Sequence, residues 1–416
     1  MPGEAFTFEP LMFEAAYNDG KELWFTEYEY NALFKMNLKS RDVELAGIIP
    51  NEEFMRGRLY SSIAYCDEKL YFAPFSAQEI AEYDLKKKKF RKIPLPIPKH
   101  GESLFWKNEK FFRTVAWREK VYFIPWRYPG MLCYDTKKDT IMVLSDWVAW
   151  TEERRVNTWG YFCEFVLTDH ELILPCACAD AVIIFDTITE KPKYISMPMR
   201  QGDQCRLSGI CYVKPFFYLV FGDGSIVKRR LEAEEEAIKE IIVPVSDVDG
   251  MAFFPVRYLD GFIYLFPFGK NDGFRVDIGT DRMEKIEWFD DEKQFDGHCF
   301  SYLASVSQNS KLYSMAGNSR RFIEYDFGGR EKRVFQLFPS KSDQRLITEN
   351  RKQALFRIAV QGTAVETAGT PLKMLIEILK DTVDFEGEEV LLRDIGTGKH
   401  IYATLRKEYA MLESRI

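Results

Sequence analysis

The sequence predicts an all-β protein, a seven-bladed β-propeller of four-stranded antiparallel blades with a short α-helical C-terminal tail. One apolar strand pattern recurs seven times along the chain, at intervals of about fifty residues. Three further short apolar stretches accompany each copy, which gives four strands per repeat. Repeats of roughly 40 to 50 residues with four strands each are typical of propeller blades. Aromatic residues make up 15% of the chain, which suits pleated, half-buried strands.

The recurring strand is the clearest part of each copy. It reads ELWFTEY from Glu22, KLYFAPF from Lys69, KVYFIPW from Lys120, ELILPCA from Glu171, FFYLVFG from Phe216, FIYLFPF from Phe262 and KLYSMAG from Lys311. The strand after it usually closes on an aromatic residue and an aspartate, at Asp84, Asp135, Asp186, Asp277 and Asp326, with Asn37 and Arg230 as stand-ins. We interpret the aromatics and Asp84 of the second copy, residues 67–96, as blade-building residues first.

Other arrangements of these strands remain open at this stage. A large β-sandwich or several separate all-β domains would explain alternating strands, but neither explains seven copies in register. Six or eight blades stay possible because the fifth copy is irregular. That copy lacks the aromatic-Asp pair and carries the acidic residues Glu232, Glu234, Glu235 and Glu236, which we interpret as a solvated outer turn.

In length and strand order the repeats resemble the kelch and galactose-oxidase class of propellers. The resemblance covers residues 11–340, although the Gly-Gly pair of kelch second strands is absent from all seven copies. The form Tyr-Phe-x-Pro, at Tyr71 to Pro74 and at Tyr122 to Pro125, looks more like divergent bacterial propellers whose function is generally unassigned. The resemblance therefore implies a fold and almost no activity.

The pattern changes after Pro339, so we predict a propeller over residues 1–340 and a C-terminal extension over 341–416. Residues 340–363 read as polar with one apolar patch. Two helices are predicted further on. The first follows the Thr370-Pro371 start signal over about 371–380, and the second carries apolar residues at helical spacing from Ile401 to Leu412. This second helix is expected to pack on the propeller or to form a homodimer.

Composition excludes several classes of partner. The chain has 57 Lys and Arg against 64 Asp and Glu, a net charge of -7, which disfavours nucleic acid and anionic membranes as partners. The N-terminus does not read as a secretory signal, and no run of eighteen apolar residues occurs. The eight cysteines lack the spacing of a disulfide framework. We therefore expect a cytoplasmic protein with reduced thiols.

The loops predict which face binds a ligand. In a meander the connections alternate between the two ends of a blade, and one end receives short charged turns. The other end receives the long connections 50–58, 96–110, 146–161, 199–207, 246–254 and 290–298. Long loops held by a rigid scaffold are where binding usually occurs, so we expect the ligand on that face.

The candidate ligand-binding residues are concentrated in these loops. Six of the eight tryptophans lie between Trp106 and Trp159. Indole rings beside guanidinium and amide groups suit sugar rings or a protein surface. The alternative is that the tryptophans cover the joints between blades. The set comprises Trp126, Arg127, Tyr128, Trp150, Arg154, Arg155, Asn157 and Trp159, together with His298 in the last long loop.

Arginines stand at the beginning of several first strands, at Arg58, Arg113 and Arg206, with Arg257 less certain. There they could create a positive site for a phosphate, carboxylate or uronate at the mouth of the channel. Pairing with carboxylates between blades is an equally good interpretation.

Catalytic and metal motifs are weak. The four histidines fall in four different segments, and Cys176 and Cys178 have the wrong spacer for a zinc pair. No phosphate loop, dinucleotide fingerprint or nucleophile elbow occurs. We predict no metal and no cofactor, and a non-catalytic binding or scaffold propeller that holds a protein or carbohydrate ligand. The alternative is an enzyme that acts on a glycan at the channel mouth, with unknown catalytic residues.

Overall fold

The computed structural model describes residues 8–28, 30–52, 58–98, 109–197, 206–230, 237–245, 251–268, 271–287, 301–308, 310–316, 320–329 and 331–361, and the side chains of 237–238, 301–308, 316 and 352–361 are outside that description. The chain divides into two compact units. One comprises Glu9–Glu52 and Arg58–Ser340, and the other Met1–Phe8, Glu53–Gly57 and Lys341–Ile416.

The first unit contains seven four-stranded sheets, which we number as blades in chain order. Blade 1 consists of β1 (Phe13–Asn18), β2 (Glu22–Glu27), β3 (Ala32–Asn37) and β4 (Val43–Ile48). Blade 2 consists of β5 (Tyr60–Cys66), β6 (Lys69–Pro74), β7 (Glu79–Asp84) and β8 (Lys89–Pro94). Blade 3 consists of β9 (Phe111–Trp117), β10 (Lys120–Pro125), β11 (Met131–Asp135) and β12 (Thr140–Leu144), and the short helix α1 (Val148–Glu152) follows it.

The remaining blades repeat this order. Blade 4 consists of β13 (Val166–Leu167), β14 (Glu171–Pro175), β15 (Ala181–Asp186) and β16 (Lys191–Ser196). Blade 5 consists of β17 (Leu207–Val213), β18 (Phe216–Phe221), β19 (Ile226–Arg230) and β20 (Ala237–Ile241). Blade 6 consists of β21 (Phe253–Leu259), β22 (Phe262–Pro267), β23 (Gly273–Asp277) and β24 (Met283–Ile286). Blade 7 consists of β25 (Ser301–Gln308), β26 (Lys311–Ala316), β27 (Arg321–Asp326) and β28 (Glu331–Phe335).

This architecture confirms the predicted seven-bladed propeller. In every blade consecutive strands pair antiparallel, so each sheet is a meander. The first strands of neighbouring blades contact one another at the joints of blades 1 and 2, 2 and 3, 4 and 5, 5 and 6, and 6 and 7, a buried cluster joins the sheets of blades 3 and 4, and β1 contacts β25, which closes the ring. The backbone N–H of Leu11 donates to the carbonyl of Leu337 at 2.9 Å, and Pro339 pairs with Val43 of β4. Both ends of the propeller chain therefore help to join blades 7 and 1.

An aspartate or asparagine at the end of most third strands forms a turn. A side-chain oxygen of Asp186 accepts the backbone N–H groups of Ile188 and Thr189, at 2.8 and 2.9 Å. Asp84, Asp135, Asp277 and Asn37 make the same pair of bonds two and three residues onward. These bonds replace backbone partners that a tight turn cannot supply, which explains why the residue type recurs.

The apolar core lies between the blades. Tyr71 and Ile80 of blade 2 pack in one buried cluster with Phe111 and Val121 of blade 3. Corresponding clusters join blades 1 and 2, 3 and 4, 4 and 5, 5 and 6, and 6 and 7. Sheet faces packed this way leave one edge strand of each blade toward the centre and the other toward the outside.

The second unit contains the helix α2, Lys341–Gln361. It occupies the stretch that we interpreted from the sequence as polar with one apolar patch, so this helix was missed. The helices predicted over 371–380 and 401–412 lie outside the described residues. Within the described part of the chain, no helix is both long enough and apolar enough to span a membrane.

Candidate functional site

The connections of the propeller lie on two faces. Turns that join first to second strands and third to fourth strands share one face. Turns from second to third strands share the other face with the connections between blades, and we call this the long-loop face. A cavity lined mainly by aromatic residues is on this face, where the sequence predicts ligand binding.

This cavity, which we call the mouth pocket, has a volume of about 260 Å³. Half of its twelve lining residues are aromatic. The lining consists of Arg58, Phe75, Glu109, Phe112, Trp126, Arg127, Thr158, Trp159, Cys163, Met251, Phe254 and Phe268. Pockets of this kind, mostly apolar with a few polar groups, are the usual form of a binding site.

The aromatic walls meet across the channel axis. Phe112 is the second residue of β9 in blade 3 and Phe254 the second residue of β21 in blade 6, yet their ring centroids are only 5.8 Å apart. Trp126 lies 5.4 Å from Phe112, and Trp159 meets Trp126 edge to face at 6.0 Å and 88°. The rings thus form one continuous aromatic surface at the channel mouth.

Gly160 allows Trp126 to occupy this position. A Cβ atom on Gly160 would lie 2.1 Å from Cδ2 of Trp126, which is far inside van der Waals contact. The backbone N–H of Tyr161 also donates to the Trp126 carbonyl at 2.6 Å. The loop after α1 and the turn after β10 are therefore fitted to each other through a residue that has no side chain.

Arg155 and Asn157 hold the loop that carries Trp159. Arg155 bonds both oxygens of Glu152, at 2.8 and 2.9 Å, and Nη1 donates to the Trp159 carbonyl at 2.6 Å. The Asn157 amide donates to the Ala177 carbonyl at 3.1 Å, and its oxygen accepts the Trp159 N–H at 3.0 Å. Both predicted ligand residues thus act here as loop supports.

Glu109 and Arg127 form a charged rim on the mouth pocket. Nε of Arg127 lies 2.6 Å from Oε2 of Glu109, and the Trp126 indole N–H donates to the same oxygen at 3.1 Å. The two side chains are 40% and 32% exposed, so the rim faces solvent. The bond to Glu109 holds the indole N–H of Trp126 at this rim.

Arg58 is the charged residue on the floor of the mouth pocket. Its Nε donates to Oε1 of Glu14 in β1 at 2.7 Å. Its guanidinium lies 4.3 Å from the ring centroid of Phe75 and 5.4 Å from that of Phe112. These contacts fix the guanidinium plane between two rings and one carboxylate.

A second, polar cavity of about 270 Å³ lies in the channel, lined by Glu14, Ser61, Ser62 and Arg113 among others. Glu164, on the chain that enters β13, accepts bonds from Arg113 at 2.5 and 2.9 Å and from Arg257 of blade 6 at 3.1 Å. Burial raises the pKa of Glu164, but the two guanidinium groups outweigh it, so the pKa is lowered overall. This carboxyl group is therefore a charged structural partner.

The structure brings together only some of the predicted site residues. Arg58, Trp126, Arg127 and Trp159 line the mouth pocket, and Arg113 lies beside it. Each of these inward arginines has a carboxylate within ion-pair distance: Arg58 has Glu14, Arg113 has Glu164, and Arg206 has Asp180 at 3.6 Å.

The remaining candidates are elsewhere. Trp150 stacks on Tyr194 of β16 at 4.5 Å, and the Arg154 guanidinium lies 4.2 Å from the Trp150 ring, which places both beside the outer strand of blade 4. Tyr128 is fully buried against Phe111 and donates its hydroxyl to the Pro96 carbonyl at 2.7 Å. His298 lies outside the described residues.

Sequence reasoning missed four of the six aromatic residues that line the mouth pocket. Phe75, Trp126 and Phe268 each directly follow the proline that ends a second strand, at Pro74, Pro125 and Pro267. Only the tryptophan was selected, and Phe75 was set aside as blade-building. Phe112 and Phe254 are each the second residue of a Phe-Phe pair, whose first member is buried between blades. That repeated position is the signal that could have identified them.

Among the described residues, no group of three or more His, Cys, Asp or Glu side chains could hold a metal ion. Cys176 and Cys178 are buried in the core between blades 3 and 4. Burial raises the pKa of the Cys178 thiol to about 12, which keeps it protonated at neutral pH.

The fold and the mouth pocket define a seven-bladed β-propeller with an aromatic cavity at its channel. No protein-family model matches the sequence. No curated protein matches it either.

Several solved structures are similar in fold. A catalytically inactive variant of virginiamycin B lyase from Staphylococcus aureus, with quinupristin, is 13% identical, with a TM-score of 0.54, over 75% of this chain and 94% of that chain. The computationally designed Ika8 protein is 9% identical, with a TM-score of 0.52, over 80% and 89%. YCF48 from Cyanidioschyzon merolae is 10% identical, with a TM-score of 0.52, over 74% and 94%. At these identities the likeness concerns the fold alone.

Proposed function

We propose that this propeller is a non-catalytic binding module that holds an apolar side chain of a protein partner in the mouth pocket. The observation that carries the proposal is the concave aromatic surface formed by Phe112, Trp126, Trp159 and Phe254 on the long-loop face. Aromatic anchors in desolvated pockets dominate the binding energy of protein interfaces. The closed ring of blades keeps this surface pre-organised, which lowers the entropy cost of binding.

A protein ligand is favoured over a carbohydrate by the composition of the lining. Only Arg58, Glu109, Arg127 and Thr158 offer polar side chains besides the thiol of Cys163. Glu109 and Arg127 are also already bound to each other. Sugar rings need many hydrogen bonds to their hydroxyl groups, whereas an apolar side chain needs mainly contact area.

The paired channel carboxylates support binding over glycan chemistry. A general acid in a glycosidase needs a raised pKa, and the arginines lower that of Glu164. Glu14 is bound to Arg58 through one oxygen. One structure of similar fold is a lyase with quinupristin, and its 13% identity transfers no activity to this chain.

A phage-displayed peptide library and a glycan array, tested in parallel, distinguish the two ligand classes. We expect the wild-type protein to select peptides that share an aromatic or large apolar residue. Trp126→Ala should weaken binding of the selected peptides roughly tenfold or more, because it removes a central anchor. The control is Trp150→Ala, which removes a partly buried tryptophan outside the mouth pocket.

Selected peptides that bind Trp126→Ala as well as the wild type would overturn the proposal. If the wild-type protein bound glycans but no peptides, and Trp126→Ala abolished that binding, the mouth pocket would remain the ligand site. The ligand would then be a carbohydrate and not a protein.

A further inference from the structure

We propose that the group entering the mouth pocket carries a carboxylate next to its aromatic or apolar part, and that Arg58 binds this carboxylate. The inference rests on the proposed function, since it specifies the ligand of the same pocket. It derives from the hydrogen-bonding state of Arg58 and from the charges that surround Phe112.

Arg58 has unused hydrogen-bond donors at the floor of the pocket. Its only side-chain hydrogen bond to the described residues is from Nε to Glu14, at 2.7 Å. Within that part of the chain, Nη1 and Nη2 donate to no acceptor, while the side chain is 19% exposed and lines the pocket. A mostly buried guanidinium gains free energy when its remaining N–H groups find an acceptor.

The charges near Phe112 favour an anion. Arg58 and Arg113 both lie against the Phe112 ring, with guanidinium carbons 5.4 and 4.6 Å from its centroid. Arg113 bonds Glu164, which also bonds Arg257. Two guanidinium groups therefore lie against one aromatic ring. A ligand carboxylate that reached the remaining N–H groups of Arg58 would be attracted to this positively charged surface, in a site partly shielded from water.

The same arrangement disfavours a cationic ligand. An aromatic pocket usually attracts cations to the faces of its rings. Here Arg58 covers Phe75 and Phe112, and Arg113 covers Phe112 and Phe254 at 4.6 and 5.2 Å. A second cation would compete with these guanidinium groups and would be repelled by them.

A carboxylate suits Arg58 for geometric reasons. Guanidinium groups bind carboxylates through two parallel N–H bonds, and the stacked rings already fix the guanidinium plane. Trp126 and Phe112 lie in the same cavity of about 260 Å³, which accommodates one aromatic side chain. The C-terminal aromatic residue of a protein partner presents both groups at the required separation, and a free aromatic acid presents the same chemistry.

The test compares three probes by isothermal titration: acetyl-Gly-Gly-Phe, the same peptide with a C-terminal amide, and 3-phenylpropionate. The acid peptide should bind the wild-type protein roughly tenfold more tightly than the amide, because a charge-assisted bond is lost in the amide. Binding of 3-phenylpropionate as tight as that of the acid peptide would identify a free acid as sufficient. Tighter binding of the acid peptide than of 3-phenylpropionate would identify the C-terminus of a peptide chain as the ligand.

Three variants test whether Arg58 is the residue that binds the ligand carboxylate. The double variant Glu14→Gln with Arg58→Gln removes the donor without leaving Glu14 as an unpaired buried charge. It should bind the acid and the amide equally. Arg58→Lys keeps the charge but not the two parallel N–H groups of the guanidinium, so it should retain only part of the preference for the acid over the amide. This variant replaces the double variant in the test if the double variant does not fold. The matched control is Arg154→Gln, which removes a guanidinium stacked on Trp150 outside the pocket and should keep the full preference.

Equal affinity of acid and amide for the wild type, or a preference that persists in the double variant, would overturn the carboxylate inference alone. The absence of binding by all three probes would also overturn it for this ligand class. Failure of the proposed function has a different signature, namely binding of these peptides that Trp126→Ala does not weaken.

Discussion

Gly160 shows at the scale of one residue how the pocket depends on an absent side chain. The Trp126 indole fills the space where a Cβ atom of residue 160 would lie. In an alanine at this position, the Cβ atom would be only 2.1 Å from Cδ2 of Trp126. A glycine in a long loop reads as a turn signal in the sequence. The close approach that it permits is a tertiary contact, so sequence reasoning found Trp126 but not the residue that positions it.

We expect Gly160→Ala to displace the Trp126 ring and weaken ligand binding roughly tenfold, with a stability cost of about 1–3 kcal/mol from overpacking. Titration with the peptides selected by the wild-type protein measures the first effect, and urea unfolding measures the second. The control is Gly328→Ala, an exposed glycine whose added Cβ would lie 3.6 Å from its nearest neighbour. Unchanged affinity in Gly160→Ala would mean that the position of Trp126 does not matter for binding.

The sequence identified only those pocket residues whose type is unusual for their position in the chain. Trp126 and Trp159 were predicted because tryptophan in a long loop is conspicuous. Phe112 and Phe254 were missed because a Phe-Phe pair at the beginning of a strand reads as core. Their contact at 5.8 Å joins residues 142 positions apart in sequence, 112 and 254, and only closure of the ring brings them together.

At the scale of elements, the aspartate turns explain the repeat. Asp186 accepts two backbone N–H groups, from Ile188 and Thr189, and the bond from Thr189 is the main cause of its lowered pKa. The residue type could be predicted as structural from its recurrence alone. The helix α2 could not, since its stretch carries no clear apolar stripe and was interpreted only as polar with one apolar patch.

We expect Asp186→Ala to lower the free energy of unfolding by about 1 kcal/mol, because two turn N–H groups lose their acceptor. Asp186→Asn keeps an oxygen at the same position and should cost less. Urea unfolding of both variants measures the difference. Equal losses would show that the charge of Asp186, rather than its acceptor geometry, stabilises the turn.

At the scale of the whole molecule, Glu164 connects blades across the channel. It joins Arg113 of blade 3 to Arg257 of blade 6 from the chain that enters blade 4. The repeat period and strand count predicted the seven blades, because each copy carries the same local pattern. Repeat periodicity cannot show which charged side chains meet inside the ring, so the arginine pairing was left open between two interpretations.

The lowered pKa of Glu164 gives stability a defined pH dependence. Its contribution is fully present above the unfolded value of about 4.3 and is lost as the pH falls through the lower folded pKa. Glu164→Gln leaves two arginines without their carboxylate, and should cost about 3–5 kcal/mol at neutral pH. It should also reduce the loss of stability on acidification.

Urea unfolding from about pH 3 to about pH 7 tests this expectation. Glu331→Gln, a change at an exposed carboxylate paired with Arg333, is the control and should keep the wild-type curve. A Glu164→Gln protein as stable as the wild type at neutral pH would contradict the role assigned to this network.

The central claim is that the mouth pocket is the ligand site of the propeller. Crystals soaked with a mixture of phenol, indole, 3-phenylpropionate and methyl glucoside test it most directly. We expect electron density for an aromatic probe in the mouth pocket, between Trp126, Trp159, Phe112 and Phe254. An empty mouth pocket, with the probes bound instead on the face of the short turns or on the outer strands, would contradict it.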